Sequence, residues 1–131
     1  MDKLKLLYLA AIENNFVNSG NNFPETLLSN DVLCLDYKEL YHNYGFCGAK
    51  NYIRKYINEN EINSMIFLFG ACEFYFDVHF FEELRKKIYV VMHTGDTAYT
   101  YDVRDQYYAQ AMDLVIHSDF IVLLRLREIG I

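Results

Sequence analysis

The sequence predicts an α/β domain: a Rossmann-like, three-layer arrangement with a five-stranded parallel sheet and helices on both faces. Two observations carry this. Five short apolar runs recur along the chain, at Leu4–Ala10, Val32–Leu35, Met65–Phe69, Ile88–Met92 and Leu114–Ile116, and four of them are near-continuous rather than alternating. Strands buried on both faces, as in parallel sheets, have that pattern. Helical patterns fall between the runs, so the order reads βαβαβαβαβα, which calls for a parallel sheet with crossover helices.

Each element has its own signal. The first strand, Leu4–Ala10, is Leu-rich and is assigned by its position more than by propensity. Asn22-Phe23-Pro24-Glu25 has the form of a helix start, with an Asn cap and Pro in the first turn, and that helix is expected to run to about Ser29. A second helix is expected over Ala49–Glu59, with Tyr52, Ile53, Tyr56 and Ile57 on its core face. A third, Asp77–Lys87, opens on an Asp cap and closes on Arg85-Lys86-Lys87, which suits the helix dipole. A fourth is expected over Asp102–Met112. The last, Phe120–Ile129, follows Asp119 and stops at Gly130.

Length and composition bound the rest. The 131 residues suit one domain, and 53% hydrophobic with 23% charged residues is a globular balance. There are no interior linkers or repeats, so residues 1–131 are expected to form a single domain. The longest wholly apolar run, Met65 to Cys72, is far short of the ~18 residues a membrane helix needs. A net charge of −6 makes nucleic acid and anionic lipid poor partners. Cys34, Cys47 and Cys72 are widely spaced and odd in number. Without a disulfide framework or a leader-like segment, a reducing cytoplasm is the expected compartment. The histidines do not pair with cysteines at zinc-ligand spacing, so neither a metal nor a cofactor is expected.

Ligands of open α/β sheets bind beyond the carboxyl ends of the strands. The polar residues of this chain gather at those ends. His93-Thr94-Gly95-Asp96-Thr97 follows the fourth strand. There His93 has the chemistry of a general base, and Asp96 that of a hydroxyl-binding carboxylate. Gly20 and Asn21, ahead of a helix start, offer backbone N–H groups to a phosphate or a hydroxyl. Glu73 follows the third strand, Thr97 the fourth and His117 the fifth; each is a candidate substrate contact. Arg104, in an aromatic and charged stretch from Tyr99 to Tyr108, could clamp an anion. The plainer reading of that stretch is an exposed loop and first helical turn, with Asp102 and Asp105 serving the dipole. No G-x-G-x-x-G or Walker A sequence is present.

The segments Phe80-Phe81-Glu82-Glu83-Leu84-Arg85, Val90-Val91-Met92-His93-Thr94-Gly95-Asp96-Thr97, Tyr108 to Ser118 and Leu126-Arg127-Glu128-Ile129-Gly130-Ile131 together resemble the N-terminal domain of GT-B glycosyltransferases. The chain is most similar to the group related to the spore-maturation CgeB proteins. That resemblance implies the acceptor-side half of a longer two-domain protein. A C-terminal domain would supply the nucleotide-sugar, so this fragment alone would be inactive. Carried over, His93, Asp96 and Glu73 face the acceptor and one of them deprotonates its hydroxyl. Related sequences often carry an acidic pair after the fourth strand, where this chain has Gly95-Asp96. The alternative is a non-enzymatic flavodoxin-like binding module or degenerate receiver. Against a working receiver, the third-strand exit Phe69-Gly70-Ala71-Cys72-Glu73 has no Asp.

Overall fold

The structure, a computed structural model, describes residues 3–11, 32–69, 75–94 and 100–131. Five strands, β1 (Leu6–Ala10), β2 (Leu33–Asp36), β3 (Ser64–Leu68), β4 (Tyr89–Thr94) and β5 (Leu114–His117), form one sheet in the order β2-β1-β3-β4-β5. Every pairing is parallel, with Leu7 opposite both Leu33 and Met65, Phe67 opposite Met92, and Thr94 opposite His117. The described helices are α1 (Tyr37–Glu59), α2 (Val78–Arg85), α3 (Gln106–Ala109), entered through a π-helical turn at Tyr101–Asp105, and α4 (Phe120–Glu128). The chain is thus an α/β domain of the Rossmann-like kind. The helix expected from Asn22 to Ser29 lies outside the described residues.

Alternation along the strands divides the sheet into two faces. One carries Leu7, Leu9, Met65, Phe67, Val90 and Met92 into the main core, where they meet Ile53 and Ile57 of α1, Phe80, Phe81 and Leu84 of α2, Tyr108 and Ala109 of α3, and Val122 and Leu126 of α4. The other buries Tyr8, Ala10, Val32 and Leu68 as a smaller cluster. Both faces are therefore apolar around β1 and β3, which is why those strands read as continuous hydrophobic runs. Aromatic rings fill the larger core: Phe81 lies 4.9 Å from Phe67 and 5.8 Å from Tyr108, centroid to centroid, in tilted and edge-on contacts.

Three of the four described helices, α1, α2 and α4, start on acidic caps. Asp36 accepts from the N–H groups of Lys38 and Glu39, Asp77 from that of Phe80, and Asp119 from that of Ile121. At the far end Gly130 stands at φ +88°, the left-handed stop its position implied.

Three expectations are corrected. Helix α1 begins at Tyr37, twelve residues before Ala49 (49 − 37 = 12), and consists of two helical pieces joined at a kink where Gly45 has φ 71° and ψ −174°. Its core stripe is Ala49, Ile53 and Ile57, an i, i+4 series, whereas Tyr52 is exposed and stacks on its neighbours. The stretch from Thr100 to Tyr108 is no exposed loop: Thr100, Tyr101, Arg104, Asp105 and Tyr108 are all buried.

Candidate active site at the carboxyl edge of strands four and five

The polar groups that the fold brings together lie where β4 and β5 end. Thr94 closes β4 and His117 closes β5, and the two are register partners. The chain enters the π turn at Thr100. Successive residues on a regular α-helix point about 100° apart. The wider π turn carries both Arg104 and Asp105 inward. Turns of this kind recur at functional sites.

The result is a buried, charge-paired network. Asp105, 0% exposed, accepts from Arg104 Nε at 2.7 Å through one oxygen and from the Thr100 hydroxyl at 2.9 Å through the other. The Arg104 guanidinium donates to Thr94 Oγ1 at 3.1 Å and lies 4.9 Å from the Phe69 ring centre. His117 Nε2 lies 3.5 Å from Asp105 Oδ2. Its Nδ1 accepts the Asp119 N–H at 2.9 Å, which puts the imidazole proton of the neutral ring on Nε2, towards that carboxylate. Burying two charges is tolerable only with pairing of this quality. Thr94 and Thr100 bracket the connection that leaves β4, so the Arg104–Asp105 pair ties its two stems together and links both to β5.

His93 precedes Thr94 and therefore points to the opposite face of β4. It is half-buried, and burial, reinforced by the nearby His117, holds its pKa below the ordinary histidine value. At neutral pH the ring is uncharged and able to take a proton.

Of the residues singled out in the sequence, the structure brings Arg104 and His117 into one network and turns His93 to the other face of β4. The carboxylate held by Arg104 is the chain's own Asp105. Gly20, Asn21, Glu73, Asp96 and Thr97 lie outside the described residues. Sequence reasoning missed Asp105 as a buried partner, together with the stem role of Thr94 and Thr100. The adjacent Arg104-Asp105 pair between tyrosines was the available signal, and it resembles an ordinary surface ion pair until the π turn is known.

Among the described residues no three His, Cys, Asp or Glu side chains converge as a metal site would require, and no helix is long and apolar enough to cross a membrane. Fold and site together define a parallel α/β domain with its polar groups at the carboxyl edge. Comparison with known proteins finds neither a matching family model nor a curated relative.

Proposed function

We propose that this domain is the acceptor-side half of a cytoplasmic glycosyltransferase of the GT-B kind, its nucleotide-sugar supplied by a second domain. The observation that carries the reading is a half-buried histidine, kept neutral by its surroundings, at the carboxyl edge of a parallel sheet. In the proposed step the acceptor hydroxyl gives its proton to His93 or Asp96. Its oxygen bonds to the anomeric carbon of the donor as the bond from that carbon to the nucleotide's phosphate oxygen breaks. The Arg104–Asp105 network acts as a positioning unit that fixes the exit of β4.

Sugar transfer by the complete protein, followed as release of free nucleotide from nucleotide-sugar donors, tests this. His93→Ala and Asp96→Ala are expected to reduce transfer by about 10²–10⁴-fold where the residue is the general base. Wild-type rates in both variants would remove these residues from the mechanism, and absence of transfer from every donor class would overturn the reading.

The strand order favours one alternative. The sequence 2-1-3-4-5 is that of flavodoxin-like domains, whose ligands sit where the order reverses, here between β1 and β3. A non-enzymatic binding module or degenerate receiver would use that position. Uptake of label from a small phosphodonor would support the receiver form, although β5 exits through His117-Ser118-Asp119 and offers no lysine.

A further inference from the structure

A concave site lies at the opposite margin of the sheet, where the edge strand β2 turns into α1. A groove of about 350 Å³ opens there, lined by Cys34, Asp36, Glu39, Asn43, Tyr44 and Tyr52. That is the lower end of the range for small-molecule sites. One wall is aromatic. The Tyr44 and Tyr52 rings stack 5.3 Å apart at 18°, and Tyr56 continues the stack 6.2 Å beyond Tyr52 at 16°. Tyr44 and Tyr52 are both exposed, although stacked rings of this kind are usually core.

The local sequence is built to hold that wall. The kink at Gly45 breaks α1 between the two tyrosines, and only the second helical piece carries Tyr52. Gly48 lies directly against Tyr44: a Cβ at position 48 would come within 2.8 Å of the Tyr44 Cβ, an atom too close to the backbone to move cheaply. Glycine at 48 is therefore what lets Tyr44 sit where it does.

The lining chemistry selects a ligand class. Among the described residues no Lys or Arg lines the groove, which disfavours phosphates and nucleotides. The polar wall offers the carboxylates of Asp36 and Glu39, and the Asn43 amide can both donate and accept. The Asp36 carboxylate already accepts from two N–H groups at the start of α1, and Glu39 lies in the first turn, so the positive end of the helix offsets much of their charge. What remains is a set of hydroxyl-binding acceptors facing stacked aromatic rings. We propose that this groove binds a neutral saccharide, with the outer face of Tyr44, the end of the stack that Tyr52 backs, under its C–H face and Glu39 and Asn43 on its hydroxyls.

The site is separate from the carboxyl edge of β4. Three strand spacings, roughly 14 Å, lie between β2 and β4, so a single sugar unit held in the groove does not reach His93. Binding there neither needs a donor nor depends on the glycosyltransferase reading.

Calorimetric titration with neutral hexasaccharides (malto-, cello- and chitohexaose), hexalysine and inorganic phosphate as probes tests the proposal. At least one hexasaccharide is expected to bind saturably below about 5 mM. Tyr44→Ala and Tyr52→Ala should each weaken it about tenfold with an unchanged circular dichroism spectrum. Gly48→Ala, which displaces Tyr44 without removing it, should do the same, and Glu39→Gln, which keeps an acceptor oxygen, should change affinity less than about threefold. Absence of saccharide binding, equal binding by the tyrosine variants, or Tyr44-dependent binding of hexalysine or phosphate in place of sugar would each overturn it.

Discussion

Arg104 and Asp105 hold each other in a site that neither could occupy alone. A buried carboxylate whose cationic partner is removed keeps its desolvation cost and loses the compensation, an imbalance of about 3–5 kcal/mol. Arg104→Met should therefore lower unfolding stability by about that amount in urea titration. The double variant Arg104→Met/Asp105→Leu should lose less than the sum of the singles, because both charges leave together. A near-neutral Arg104→Met would mean that the pair is not closed as described. His93 is a titration problem of a different kind. Its folded pKa is depressed, so the unfolded chain takes up a proton first as the pH falls through about 6.5. Unfolded molecules then bind more protons than native ones, and stability drops from that pH down to the folded pKa. His93→Gln should flatten this segment of the stability–pH curve, measured as urea midpoints between about pH 7 and pH 5.

At the scale of elements, legibility followed locality. The caps Asp77 and Asp119 and the stop at Gly130 were readable because each acts on residues within one turn of itself. The strands were readable because burial on both faces leaves a plain run of apolar residues. The first half of α1 carries a local signal as well, an Asp36 cap with Tyr37, Leu40, Tyr41 and Tyr44 at i, i+3, i+4 and i+7, but Gly45 and Gly48 interrupt it ahead of Ala49, and its rings are held by contacts across the kink and to Tyr75. The π turn was hidden, since its extra residue is justified only by Thr94, Thr100 and His117, which the chain brings from elsewhere. At the carboxyl edge the sequence could name residues but not their partners. Gly45 is the residue on which the missed half of α1 turns. Its φ of 71° lies in the left-handed region, and a Cβ there would meet nothing within 4 Å, so the penalty for a side chain is purely conformational. With ψ at −174° this backbone belongs to a region that only glycine enters readily, so Gly45→Ala and Gly45→Asn should each cost about 1–3 kcal/mol by thermal unfolding. Parental stability of either variant would argue against the kink.

At the scale of the molecule, one continuous aromatic cluster runs through the larger core and joins helix–sheet contacts that would otherwise be separate. Phe81 illustrates the connection. It belongs to α2, touches Phe67 and Phe69 at β3, Phe76 and Phe80 beside and within α2, and Tyr108 of α3. An edge-on ring network of this kind transmits the loss of one member to all its neighbours, because a cavity left in a close-packed interior is only partly refilled. Phe81→Ala should therefore cost about 3–5 kcal/mol, and the cost should appear in the unfolding of the whole domain. In urea the midpoint should fall while the slope stays that of the parent, and transitions followed by far-ultraviolet circular dichroism and by tyrosine fluorescence should coincide. The tyrosines make the second probe informative, for Tyr8 reports from the smaller cluster and Tyr108 from the larger one. If the fluorescence transition moved away from the dichroic one in Phe81→Ala, the two faces of the sheet would be melting separately. The carboxyl edge, which depends on β4 and β5 being held in one register, would then lack the rigid base that its buried ion pair requires.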